Sequence, residues 1–129
     1  MMDLMDLISR HISEPINFGR VVRFTHSGAA RGPEHEDFIA FQAKVYRGHI
    51  EEIRWQGTGC PIVLSAASVV ADALEGCQLV SVDTIATEAL LPFEEYKRTT
   101  CLKVVKAAVE GCFNWDTKER GKCRQVNDE

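Results

Sequence analysis

Trp55-Gln56-Gly57-Thr58-Gly59-Cys60-Pro61, with Ile62 to Glu75 behind it, is the stretch on which the fold turns. An apolar run closes at Trp55, two glycines bracket a tight turn, one cysteine follows, and a segment dense in Ala, Ser and Val begins. The pattern reads as strand end, turn, cysteine and helix. Proline directly after the cysteine suits the first helical position, where its missing N–H leaves nothing unsatisfied. Cys60 therefore falls at or beside the N-cap, facing unpaired backbone N–H groups and the positive end of the helix dipole. Helix starts favour thiolates, the form of cysteine that binds metal or attacks sulfur. The competing reading of a lone cysteine here is a small apolar residue that fills the turn.

Upstream, residues 37 to 46 place Phe38, Ile39, Phe41, Ala43 and Val45 against Gln42 and Lys44, a strand of period two. Arg47-Gly48 reads as a turn, and His49 to Trp55 as a second strand, so the two make an antiparallel hairpin. Ile50 and Ile53 break strict alternation within it. Before the hairpin, Val21 to Thr25 reads as a strand, and the small, glycine-containing run His26 to Pro33 as a loop able to lie over a site. Leu4, Leu7, Ile8 and Ile12 form the stripe of a short amphipathic helix over residues 3 to 12, which Pro15, Asn17 and Gly19 interrupt.

Downstream, Ile62 to Leu74 is expected to be a buried helix, stopped by Gly76. Residues 80 to 90 hold a short helix, and Leu91-Pro92 interrupts it. A last helix over about residues 97 to 110 carries Leu102, Val105, Val109 and Cys112 on one face, with Gly111 as its end. Strands segregated from helices imply an α+β domain, a small three-stranded antiparallel sheet with helices packed on one face. Residues 1–113 form that domain, and 114–129 a polar, charge-rich tail.

The chain has 129 residues, room for one core. Its net charge of −4 argues against nucleic acid, whose phosphates are neutralised by Lys and Arg. No apolar run reaches the roughly 18 residues of a membrane span. The acidic N-terminus lacks the basic and apolar regions of a signal peptide, so a cytoplasmic protein is expected. Five cysteines with no C-x-x-C pair argue against a disulfide framework and fit a reducing compartment.

Two of those cysteines occupy helix starts, Cys60 and Cys101. Cys77 and Cys112 sit at helix ends among apolar neighbours and read as core filling. Cys123 falls in the polar tail. Before the second strand stands Glu34-His35-Glu36-Asp37, in which His35 and Asp37 share a face if the segment is extended. An imidazole, a carboxylate and two thiolates would make a four-ligand site for zinc or iron. A solvated acidic loop is the alternative for these four residues, and ligand spacings of 25 and 41 residues match no local zinc-finger pattern. A nucleobase deaminase would need His-x-Glu with Pro-Cys-x-x-Cys, a pair the sequence lacks. No catalytic set is read, and the chain is expected not to be an enzyme.

Four segments in order resemble the iron–sulfur cluster assembly scaffold family of the NifU N-terminal or IscU type. His11-Ile12-Ser13-Glu14-Pro15-Ile16-Asn17-Phe18-Gly19 is similar to the family's H-x-x-x-P-x-N-x-G segment. The hairpin Phe41-Gln42-Ala43-Lys44-Val45 and Gly48-His49-Ile50-Glu51-Glu52-Ile53-Arg54-Trp55 resembles the one that leads into the family's G-C. The small-residue helix after Cys60 and the helix that holds Cys101 to Val109 match as well, and the resemblance spans roughly residues 4 to 112.

The family carries three cysteines and an aspartate around its cluster or zinc. The resemblance puts its second and third cysteines on Cys60 and Cys101 and its aspartate on Asp37, with His35 in place of the first cysteine. It implies a scaffold that binds iron or a [2Fe-2S] cluster on His35, Asp37, Cys60 and Cys101, takes sulfur from a cysteine desulfurase and passes the cluster to acceptor apo-proteins. The alternatives are a zinc-bound sulfur acceptor and a degenerate member that keeps the fold as an interaction module. Histidine can ligate iron or zinc but cannot carry a persulfide. Thr100 stands where many members have histidine. Leu91-Pro92-Phe93-Glu94-Glu95-Tyr96-Lys97-Arg98 departs from the family's L-P-P-V-K, which puts chaperone docking in doubt.

Overall fold

The computed structural model describes residues 4–32, 37–95, 99–113 and 123–125. Helix α1 (Leu4–Ser13) precedes strands β1 (His26–Arg31), β2 (Phe38–Tyr46) and β3 (His49–Thr58). Helix α2 (Pro61–Leu74) follows, then α3 (Val82–Leu90) between two 3₁₀ turns, α4 (Thr99–Phe113) and a short β4 (Cys123–Gln125). The sheet order is β3-β2-β1-β4, with the first three antiparallel as the α+β reading expected. Ile39, Phe41, Ala43, Ile50, Ile53 and Trp55 are buried from β2 and β3, together with most of α2 and the inner face of α4. Each large apolar side chain so buried contributes about 1.5–3 kcal/mol relative to exposure.

The hairpin forms as predicted. Arg47 and Gly48 both take positive φ, 51° and 78°, the paired left-handed geometry that matches the right-handed twist of the strands. A register shift between Lys44 and Val45 pairs Val45 with Ile50 and Lys44 with Glu52, and leaves Glu51 as an extra residue. That bulge explains the broken alternation, because it returns Ile50 and Ile53 to the same buried face. Helix α2 is buried nearly all round, and Gly76, at φ +86, follows its C-cap Glu75.

Three expectations are corrected, and one strand is added. The first strand is not Val21–Thr25 but His26–Arg31, the run expected to be a shielding loop. Val22 is 94% exposed, whereas Ala30 is fully buried. The small residues of β1 let α4 lie directly on it: a Cβ on Gly28 would collide with the backbone of Gly111 and Cys112. Backbone approach here outweighs β propensity. Second, the stripe of α1 continues through His11, which is buried, while Ile12 is exposed. Third, Gly111 does not end α4, which runs on to Phe113. The three antiparallel strands stand as expected, and a short fourth strand is added beside them. No strand was expected after residue 114, yet Cys123, Arg124 and Gln125 pair in parallel with Ala29, Ala30 and Arg31.

The N-terminal segment is fastened across α2 and the outer edge of β3. Trp55 N–H donates to Asn17 O and Gly19 N–H donates to Trp55 O, each at 2.9 Å. The Trp55 indole N–H donates to Ile16 O at 2.8 Å, and Phe18 meets the indole edge-on at 5.0 Å. Among the described residues no helix is long and apolar enough to cross a membrane.

Candidate metal centre

Cys60 is the N-cap of α2, with extended φ −72° and ψ 161°, and Pro61 opens the helix behind it. Its side chain makes no cap hydrogen bond, and the first turn of α2 holds no acidic residue. The acceptor comes from another element: the Cys60 N–H donates to Asp37 Oδ1 at 3.2 Å. Asp37 stands just before β2, and Phe38, the next residue, pairs with Thr58 near the end of β3. The sheet register thus carries Asp37 to the start of α2. A carboxylate at a helix N-terminus is favourable by about 0.3–1 kcal/mol. Both Asp37 and Cys60 are half-buried, and Cys60 is a free cysteine.

The second helix start approaches the same place. Gly32 N–H donates to Asp37 O at 2.8 Å, closing the chain on either side of residues 33–36. The position that a Cβ would take on Gly32 lies 3.3 Å from both Asp37 Cβ and Val104 Cγ2, so α4 packs beside the aspartate. Cys101 lies in the first turn of α4, about one turn before Val104.

Of the four predicted ligands, Asp37 and Cys60 are brought into hydrogen-bond contact. The backbone of Cys101 is helical, at the start of the helix that flanks Asp37, and its side chain lies outside the described residues. His35 also lies outside them. Among the described residues no group of three His, Cys, Asp or Glu is gathered as for a metal ion. The other cysteines follow their readings in part. Burial pushes the Cys112 thiol well above its ordinary range, which keeps it protonated and inert. The half-buried Cys77 donates its S–H to Ala73 O at 3.1 Å.

The sequence reading did not reach two features of this corner. The Asp37–Cys60 bond joins residues 23 apart, and no local pattern signals it. Gly59, at φ +143, falls in the turn expected before a capping cysteine, but its close approach to Asp37 has no local signal.

The chemistry available here is a hard oxygen donor beside a soft sulfur donor, a mixed set that iron and zinc both accept. The family model for the NifU-like N terminal domain matches residues 4–112. Among curated proteins none matches the chain. In the solved structures the chain is similar to a protein described as an iron-sulfur cluster assembly scaffold protein for the SUF system, from Fervidobacterium islandicum. That likeness has a TM-score of 0.72 at 11% identity, over 84% of this chain and 95% of the other. A nitrogen-fixing NifU-like protein (N-terminal) from Brucella abortus aligns with a TM-score of 0.61 at 10% identity, over 88% and 91% of the two chains. At such identities the neighbours speak for the fold, while the family match covers most of the sequence. The chain belongs to the family of NifU-like N-terminal domains.

Proposed function

We propose that the chain is an iron–sulfur cluster assembly scaffold, a carrier and not an enzyme, whose cargo is iron or a [2Fe-2S] cluster. The observation that supports this reading is the seating of the Asp37 carboxylate on the Cys60 amide, with α4, whose first turn holds Cys101, packed beside the aspartate. Cys60 and Cys101 would hold the cargo as thiolates, and His35 would complete the set with an imidazole nitrogen. Asp37 would be the hard, exchangeable ligand, suited to a cargo that must leave. Sulfur would come from a cysteine desulfurase, and the loaded cluster would pass to acceptor apo-proteins. Because His35 cannot carry a persulfide, sulfur would have to be received on Cys60 or Cys101.

A second reading keeps the same residues and changes the occupant. Two thiolates, an imidazole and a carboxylate also suit tetrahedral zinc, which would make the chain a zinc-bound sulfur acceptor. Anaerobic reconstitution with iron, sulfide and reductant separates the two. The scaffold reading expects a visible charge-transfer spectrum that Cys60→Ala and Cys101→Ala both abolish. A colourless protein that retains stoichiometric zinc would sink it in favour of the second. Spectra unchanged in His35→Ala would remove His35 from the ligand set.

A further inference from the structure

Asp37 and Cys60 meet over Gly59, and the geometry there is narrow. Resting on the ligand set proposed above, we propose that Gly59 is a positioning residue: its missing side chain lets the Asp37 carboxylate seat on the Cys60 amide, fixing the oxygen donor against the sulfur-bearing residue before any metal arrives. A Cβ on Gly59 would collide with Asp37 Oδ1, the same atom that accepts the Cys60 N–H. It would also stand 2.7 Å from Val63 Cγ1 and 3.1 Å from Asp37 Cα.

Neither neighbour can give way freely. Val63 is fully buried on the first turn of α2. Asp37 is tied through its carbonyl to the Gly32 N–H. Gly59 at φ +143 further occupies backbone space that a side chain rarely adopts. The space therefore belongs to the carboxylate, and any larger residue at 59 must expel it or shift the start of α2. Since Cys60 provides no cap of its own, expulsion would also strip the helix of this acceptor.

Hydrogen exchange of the Cys60 amide, followed by NMR on the metal-free full chain, reads the seat without any cargo. The amide is expected to be protected in the parent chain. It should exchange about tenfold faster or more in Asp37→Ala and in Gly59→Ala, and stay protected in Asp37→Asn, whose side-chain oxygen can accept the same bond. With Co²⁺ as the metal probe, Gly59→Ala should weaken binding by about 10- to 100-fold. The Gly59→Ala/Asp37→Ala double variant should bind no more weakly than Asp37→Ala alone, since one variant has already removed what the other displaces. If Gly59→Ala does not fold, the two Asp37 variants still decide the exchange result. An unprotected Cys60 amide in the parent chain, protection untouched by Asp37→Ala, or additive losses of Co²⁺ affinity would each overturn the proposal. A protected amide that responds as described in a chain that takes up no Co²⁺ would uphold the seat and overturn the metal reading.

Discussion

His11 shows what a single residue of the N-terminal motif does. It is 7% exposed, its Nδ1 lies 2.7 Å from Ser68 Oγ, and that oxygen also accepts the Ile16 N–H at 2.8 Å. One serine on α2 thus fastens both α1 and the segment after it. Burial pushes the imidazole below its ordinary value of 6.5; Asp72 pulls the other way, and Arg10 adds to the lowering. The folded state therefore favours the neutral ring, and below pH 6.5 the unfolded chain binds more protons. Stability from this residue is complete above that value and is lost as the pH falls from there through the lowered value of the folded state. Ser68→Ala should leave a buried ring nitrogen and a backbone N–H without this partner, costing about 1–3 kcal/mol. Urea midpoints at pH 7.5 and 5.5 check both points: the parent should fall on acidification, and Ser68→Ala should lie well below the parent at pH 7.5. Equal midpoints for parent and variant would remove the serine from its role. The sequence marked His11 only through its family motif, because a partner 57 residues away leaves no trace in local periodicity.

Among the elements, the hairpin and the helices were legible where side-chain patterning decides them. The place of the turn, the burial of α2 and the inner face of α4 all follow from glycine placement and apolar spacing. Strand β1 was not legible, since its fitness lies in what it lacks. Val21 to Thr25 has the β-branched and aromatic content of a strand, yet only Val21 is buried there, with its N–H held by Gln42 Oε1 at 3.0 Å. His26 to Arg31 has small residues, and it becomes the strand because α4 can reach it. The same comparison explains why the bulge could be noticed in the sequence as irregular spacing but not assigned. Gly28→Ala is the test of this account. Its methyl would meet the backbone of α4, and overpacking of this kind costs about 1–3 kcal/mol or more. Chemical unfolding should show that loss, with Val22→Ala as the exposed comparison expected to change little. Tolerance of Gly28→Ala would mean that α4 does not press on β1.

The whole molecule is organised around three antiparallel strands whose two outer edges are both engaged. On the β3 side, residues 17 to 19 hydrogen-bond to Trp55, while Ile50 donates to Cys77 O and accepts from Gly76 N–H. On the β1 side, β4 adds in parallel along Ala29 to Arg31. The candidate metal corner lies at the end of the sheet where β1 and β3 finish and β2 begins, close to the strand residues that β4 covers. A polar composition concealed this last strand, since three residues on an edge need no apolar pattern to pair. Covered edges matter because an open one presents unpaired N–H and C=O groups to other chains. Deleting residues 121–129 should therefore uncover the outer edge of β1 at Ala29 to Arg31 without touching the buried residues of α2 or α4. Light scattering across a concentration series should show the shortened chain associating more strongly than the full one. Far-UV circular dichroism should show the helices retained. Association no greater than that of the full chain would mean that β4 does not guard the edge it pairs with.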